Sequence, residues 1–245
     1  MIRLYHNEDR RRRDGYGGRV PRQADHEQRR RQIADALVRI AATRGLHNAG
    51  MREVAAEAGV SVRLIQYYFG TKEELLRYTM EYLARQWSER VKARFRPADG
   101  AAGPPGPRAI IDAILTEALP TDEDSRVFNI VYSSYAALSL TDPAYAIGTL
   151  LHASDVVENV VADQLTKAQQ AGQVPAGVDA RAEATGLLAM SAGLGTSVLG
   201  GQRSAEDALA VLRYHLDRLL PPERPPGGTA SLPGSSPSWQ ATPHQ

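Results

Sequence analysis

Residues 53–76 read EVAAEAGVSVRLIQYYFGTKEELL, and this stretch carries the start and stop signals of consecutive helices. Gly59 follows a short helical pattern at residues 51–58 and is suited to a left-handed helix cap. Ser61 is a favourable N-cap for another short helix that runs to about Tyr68. Two short helices joined by a tight glycine turn indicate a helix-turn-helix motif.

Longer helices are predicted on both sides of this motif. Thr71 and Glu74 have the spacing of a capping box, which predicts a helix over residues 72–95. Upstream, apolar residues recur at spacings of three and four over residues 26–44. The first helix and the motif together form a predicted three-helix domain over residues 26–71.

Three aromatic residues, Tyr67, Tyr68 and Phe69, are consecutive in a chain that is only 6% aromatic. A helix that buried all of its aromatics would space them three or four residues apart, so two of these rings should face outward. In a helix-turn-helix the second helix lies in the DNA major groove while neighbouring residues contact phosphates. We therefore expect both tyrosine hydroxyls to reach phosphate oxygens and Phe69 to turn inward. Lys72, at the start of the next helix, suits another phosphate contact.

The residues after the Ser61 cap are of types that read base edges. Val62, Arg63 and Gln66 occupy the first turn and a half of the predicted recognition helix. Arg63 could bind guanine O6 and N7, Gln66 could pair with adenine, and Val62 could contact a thymine methyl group. The motif thus predicts double-stranded DNA as a partner.

The remainder of the chain reads as an arm, a helical region and a tail. Residues 1–25 contain seven arginines with little apolar content, which predicts a flexible basic arm. We hypothesise that the arginines at 10–13 extend the DNA contact; the alternative is a solvated tail, which would explain about half of the positive excess. Residues 72–220 show only helical periodicity on both sides of a Pro/Gly-rich break at 96–108, and residues 221–245 have a disordered composition. The predicted fold class is therefore all-α.

Composition argues against several classes of protein. The 245 residues include no cysteine and only six scattered histidines, so neither disulfides nor a metal centre is expected. No uninterrupted apolar run is long enough for a membrane span, and a cytoplasmic protein without cofactors is expected. No nucleophile elbow or phosphate loop is present, which argues against an enzyme. The Gly-Leu-Gly at 193–195 follows no strand and is better explained by helix packing.

The small net charge of +1 conceals an uneven distribution. Residues 1–96 hold 21 Lys and Arg against 12 Asp and Glu, a net charge of +9, whereas the rest of the chain holds 8 against 16, a net charge of −8. The basic part favours a polyanion partner, and the acidic part must serve another purpose.

Residues 30–76 resemble the DNA-binding domain of the TetR family of bacterial repressors. The family's pattern appears as Ala58-Gly59-Val60-Ser61 followed by Tyr67-Tyr68-Phe69-Gly70-Thr71-Lys72-Glu73. The resemblance depends on these two runs. It implies DNA contacts at eight positions: Arg52, Ser61, Val62, Arg63, Gln66, Tyr67, Tyr68 and Lys72. Arg63 and Gln66 depart from the family pattern, in which glycine or proline and tyrosine are common, so operator rules do not transfer directly.

The resemblance also implies that residues 72–220 form a ligand-binding and dimerisation domain, entered through a linking helix at 72–95. The last two helices are expected to pair across a two-fold axis, helped by small residues in the penultimate one: Ala189, Ser191, Ala192, Gly193, Gly195 and Ser197. We hypothesise an effector cavity lined by Phe128, Tyr132, Tyr135 and His152, although any single one of these residue types is more often an ordinary packed residue than a ligand contact. Trp87 either borders this cavity or fills the seam between domains.

The sequence therefore predicts a homodimeric repressor that binds a palindromic operator and is released by a small-molecule effector. An activator or a ligand-independent DNA-binding protein of the same fold remains an alternative. A helical small-molecule-binding module or enzyme without DNA binding is a remote one.

Overall fold

The computed structural model describes residues 22–95, 104–142, 145 and 148–222, with side chains from residue 24 onward except at 148–154. Every regular element within these ranges is helical, which confirms the predicted all-α class. The elements are α1 (Arg22–Arg44), a 3₁₀ turn (Leu46–Asn48), α2 (Met51–Ala58), α3 (Val62–Phe69), α4 (Lys72–Ala93), α5 (Pro107–Glu117), α6 (Glu123–Thr141), α7 (Gly148–Gln170), α8 (Ala180–Leu199) and α9 (Ala205–Leu219).

Helix α1 begins four residues before its predicted start at residue 26, so the last part of the predicted arm is helical. Asp25 in the first turn complements the positive end of the helix dipole. One turn on, Glu27 forms an ion pair with Arg31 at 3.5 Å. Residues 1–21 of the arm, including the arginines at 10–13, and residues 223–245 of the predicted tail lie outside the described residues.

The predicted turn and caps of the helix-turn-helix are present. Gly59 ends α2 with a φ of 66°, and its N–H donates to the Ala56 carbonyl while the next N–H donates to the Ala55 carbonyl. The Ser61 hydroxyl accepts a hydrogen bond from the Leu64 N–H and caps α3.

The predicted capping box of α4 is only half formed. The Thr71 hydroxyl accepts from the Glu74 N–H at 3.2 Å, as predicted. The Glu74 carboxylate, however, pairs with Arg77 one turn later, because an arginine three residues on competes for it.

The first hydrophobic core joins the helix-turn-helix to parts of α4 and α6. Ile33, Leu37 and Ile40 of α1 are almost completely buried against residues of α2, α3 and the N-terminal half of α4. Helix α6 contributes Val131 and Tyr135 to the same core. Helix α6 therefore shares a core with the motif and packs against α1 and the 3₁₀ turn.

The second core lies among the C-terminal end of α4, α5, α7, α8 and α9. A buried carboxylate fastens α4 to α5 there. Glu117 is 5% exposed and accepts from the guanidinium groups of Arg90 at 2.9 Å and Arg94 at 2.6 Å. The Trp87 indole N–H donates to the Glu117 carbonyl at 3.0 Å. Helix α4 thus belongs to both cores.

Within the described ranges, none of the helices combines the length and apolar content that a membrane crossing requires. The same ranges contain no cluster of side chains suited to hold a metal ion.

Replacing Gly59 by alanine should destabilise the protein. Its left-handed φ of 66° would cost an alanine about 1 kcal/mol, although a new Cβ would meet no neighbour within 4 Å. Urea unfolding at fixed protein concentration should show this loss. Gly59→Asn is the matched control and should lose less, because asparagine tolerates this conformation. Equal stability of all three proteins would contradict the assignment.

Candidate nucleic-acid interface

Helix α3 is fixed to the protein by one side and leaves the other exposed. Ile65 is fully buried and Phe69 is 7% exposed, whereas Arg63, Gln66 and Tyr67 lie on the exposed side. The remaining predicted contact residues are also reachable from solvent: Arg52 and Ser61 are exposed, and Val62, Tyr68 and Lys72 are half-buried. All eight predicted positions therefore present accessible surface.

The three consecutive aromatics separate as predicted. Phe69 enters the first core, where its ring lies 5.4 Å from that of Tyr78. Tyr67 is 76% exposed. Tyr68 lies between two rings, meeting Tyr67 edge-on at 5.3 Å and the imidazole of His26 edge-on at 4.6 Å. No local sequence pattern predicts the contact of His26, because it joins residues that are 42 positions apart in the chain.

The charges on this surface are available to a ligand. Arg52 and Arg63 form no ion pair or hydrogen bond within the described part of the chain. Other arginines of the domain are engaged, such as Arg39, which pairs with Glu57 at 2.8 Å. A guanidinium group that is held on a rigid helix and remains unpaired can form two parallel hydrogen bonds to a planar or anionic acceptor.

The beginning of α4 adds a second point of positive potential. Lys72 occupies its first position, where the free N–H groups of the helix also favour an anion. Hydrogen bonds from its own backbone N–H and from the Thr71 hydroxyl hold the pKa of Glu73 below its usual value. The Tyr145 hydroxyl also donates to Glu73, at 3.3 Å. The Glu73 carboxylate is therefore satisfied within the protein.

The predicted effector residues whose side chains are described divide into two groups. Phe128 and Tyr132 are half-buried and stack in a row with Trp87, with ring centroids 6.5 Å apart for Trp87 and Phe128 and 5.8 Å apart for Phe128 and Tyr132. We call these three rings the aromatic row. Tyr135 is instead 1% exposed within the first core, and burial raises the pKa of its hydroxyl. His152 lies on α7 among the side chains that are not described.

Helix α8 carries small residues on two opposite sides. Ser191 and Gly195 are buried, and a Cβ on Gly195 would lie 3.2 Å from Asn129 Oδ1. On the outer side runs a row of exposed small residues, which we call the small-residue stripe: Thr185, Gly186, Ala189, Ala192, Gly193 and Thr196. The residues predicted to share one face therefore divide between two. The Gly-Leu-Gly lies inside this helix, as the packing interpretation requires.

Comparison with known proteins agrees with both halves of the chain. A family model for bacterial regulatory proteins of the TetR family matches residues 33–79. A second model, the C-terminal domain of BetI-type transcriptional repressors, matches residues 107–221. The first match covers the helix-turn-helix, and the second covers most of the acidic helical region.

Relatives show the same relationship. The transcriptional regulator BetI of Burkholderia thailandensis is 26% identical over 206 residues, which cover 83% of this chain and 99% of BetI. PksA of Bacillus subtilis is 37% identical over 106 residues, 43% of this chain, and the match spans about half of PksA, 49%.

Two solved structures share the fold. A TetR transcription regulator from Haloarcula marismortui superposes with a TM-score of 0.67 at 18% identity, covering 79% of this chain and 99% of its own. The choline complex of a regulator from Saccharomonospora viridis gives a TM-score of 0.65 at 26% identity, covering 78% of this chain and 95% of its own. With its helix-turn-helix and its BetI-type C-terminal region both matched, the chain belongs to the TetR family of bacterial transcriptional regulators.

Proposed function

We propose that the protein is a cytoplasmic repressor that binds a palindromic operator as a homodimer and releases it when a small-molecule effector binds. The observation that carries this proposal is the exposed side of α3, where Arg63 is unpaired and Gln66 and Tyr67 face solvent. Family membership supports the DNA-binding part. Residues 26–71 would form the DNA-binding domain and residues 72–220 the effector and dimerisation domain.

The first turns of α3 would recognise the base sequence of the operator. Arg63 would bind guanine O6 and N7 in the major groove, Gln66 an adenine, and Val62 a thymine methyl group. Tyr67, Tyr68, Lys72 and Arg52 would contact the sugar-phosphate strands and fix the register without reading bases. The free N–H groups in the first turn of α3 would add to the positive potential there.

Dimerisation would use the outer faces of α8 and α9. The small-residue stripe of α8 allows another helix to approach closely, and Tyr214 of α9 is 57% exposed, which is unusual for a large aromatic residue. A two-fold dimer places two copies of α3 in successive half-sites, so the operator would be a palindrome.

The aromatic row supports a cationic effector, and here the choline complex of the S. viridis regulator is suggestive. Ring faces of Trp, Phe and Tyr attract quaternary ammonium groups. The nearby Glu117 carboxylate is already engaged by Arg90 and Arg94, so the rings would have to supply most of the attraction. Phe128 and Tyr132 would line the site, and Tyr135 and His152 remain proposed neighbours.

Release of DNA requires the effector to favour one arrangement of α3 over another. Helix α6 carries two rings of the aromatic row and also packs in the first core through Val131 and Tyr135. A ligand that shifted α6 would therefore act on the helices that support α3. An activator with the same contacts remains the second candidate, distinguished by the direction of the change in transcription.

Arg63→Ala should weaken binding to an operator that the wild-type protein selects from random duplexes. Loss of one bidentate base contact should cost about 1–3 kcal/mol and relax the preference at one base pair in each half-site. Fluorescence anisotropy and repeated selection with the variant measure both effects. Arg203→Ala, an exposed arginine between α8 and α9, is the matched control and should bind normally. Unchanged base preference in the Arg63 variant would contradict its assignment.

Gly193→Arg should convert the dimer to monomers. A side chain at this position meets nothing within 4 Å in the protomer, so the fold should persist while a partner helix is excluded. Light scattering coupled to gel filtration gives the mass, and circular dichroism checks the helices. Gly177→Arg, at another open glycine outside α8, should stay dimeric. A dimeric Gly193 variant would place the interface elsewhere.

Choline should change the fluorescence of Trp87 in a Trp239→Phe background, in which Trp87 is the remaining tryptophan, and should release operator DNA. Phe128→Leu should weaken this response about 5- to 30-fold if a cation–π contact of about 1–2 kcal/mol is lost. The uncharged isostere 3,3-dimethylbutan-1-ol serves as the control ligand. An equal response to both compounds, or none to choline, would argue against a quaternary ammonium effector.

A further inference from the structure

A contact between the first turns of α1 and the end of α3 extends the surface that faces DNA. The His26 imidazole meets the Tyr68 ring edge-on, with centroids 4.6 Å apart and an interplanar angle of 61°. On its other side Tyr68 meets Tyr67 at 5.3 Å and 82°. His26 and Tyr67 are exposed, so the three rings form a row along the surface with Tyr68 in the middle.

The ring contacts with His26 and Tyr67 restrict the Tyr68 side chain. A tyrosine at the end of a short helix can normally sample several rotamers, and fixing it on binding costs conformational entropy. Edge contacts from two neighbouring rings favour one orientation before DNA arrives. Tyr67 belongs to the same helix, so His26 is the neighbour that ties this orientation to α1.

The α1 side of the contact is itself well anchored. Glu27, the next residue, accepts a hydrogen bond from the Tyr78 hydroxyl of α4 at 2.8 Å. One turn further, the Arg30 guanidinium lies over the Tyr78 ring, 4.1 Å from its centroid. His26 thus projects from a turn of helix that α4 holds in place, which makes its imidazole a fixed support.

We propose that His26 is a positioning residue for DNA binding, which holds the Tyr68 ring so that its hydroxyl is ready to meet a phosphate oxygen. The inference rests on the proposed function, because Tyr68 is there assigned to the DNA backbone. His26 acts through the ring of Tyr68 and makes no contact with the nucleic acid.

The test is a double-mutant cycle on the operator duplex selected by the wild-type protein, with affinities measured by anisotropy at several salt concentrations. Tyr68→Phe keeps the ring and removes the hydroxyl, and should weaken binding about tenfold, as expected for one hydrogen bond to a charged acceptor. His26→Ala should weaken binding to the duplex by a smaller factor, about three- to fivefold. His26→Ala should cause no further loss when Tyr68 is already phenylalanine.

Rescue by a conservative variant distinguishes positioning from direct contact. His26→Phe retains an aromatic edge and should bind within about twofold of wild type. The salt dependence should not change in any His26 variant, because a direct imidazolium contact with a phosphate would contribute about 0.9 to the slope. His47→Ala, an exposed histidine in the 3₁₀ turn, is the matched control and should bind normally.

Three results would overturn the inference: an unaltered affinity of His26→Ala, additive losses in the double variant, or failure of His26→Phe to restore binding. Melting temperatures of all variants should match the wild type, since His26 and His47 lie at the surface and Tyr68→Phe removes only a hydroxyl group. A wild-type protein that selects no duplex at all would refute the proposed function as well. Normal wild-type binding with an inert His26 would refute this inference alone.

Discussion

The position of the recognition helix depends on the burial of one tyrosine. Tyr78 of α4 is 4% exposed, with the Phe69 ring of α3 at 5.4 Å and the Arg30 guanidinium of α1 at 4.1 Å. Burial and the hydrogen bond to the Glu27 carboxylate raise the pKa of Tyr78 to about 12, so its hydroxyl remains a donor at all physiological pH values. Three helices therefore meet at one side chain, and α3 cannot tilt without disturbing α1 or α4.

Helix α4 transmits this constraint to the rest of the protein because it is shared by two cores. Its first half packs with the helix-turn-helix, whereas Val91 and Trp87 near its end pack in the second core. The buried Glu117 holds that end to α5 through two guanidinium groups. Because the Glu117 carboxylate is buried, separating it from both guanidinium groups would be costly, so α4 should move with α5 as a unit. Helix α6 also contacts α4, and it carries two rings of the aromatic row, Phe128 and Tyr132.

Local features of this fold could be predicted from the sequence, and long-range ones could not. The Gly59 turn, the Ser61 cap and the inward turn of Phe69 each depend on a few neighbouring residues. The burial of Tyr135 in the first core depends on how α6 docks, which no local pattern records.

Helix α8 shows why its faces could not be assigned in advance. Small residues lie on both of its sides, so the periodicity of the sequence does not distinguish Gly195, packed near Asn129, from the open Gly193. The contact between His26 and Tyr68 was hidden for the same kind of reason, since it joins distant parts of the chain. The periodicity of the sequence identifies the helices, whereas their packing decides which residues stay exposed to a partner molecule.

The pairing of charges marks the candidate DNA surface more sharply than net charge does. Several arginines in the described part of the DNA-binding half already have carboxylate partners, as Arg77 has Glu74 and Glu81. Arg52 and Arg63 are left unpaired in the described part of the chain, on helices whose own backbone ends are capped by glycine and serine. An arginine with a carboxylate partner must break that contact before it binds a phosphate or a base. An unpaired one on a rigid helix has no such cost, so both arginines should contribute strongly to affinity, and Arg63 to specificity as well.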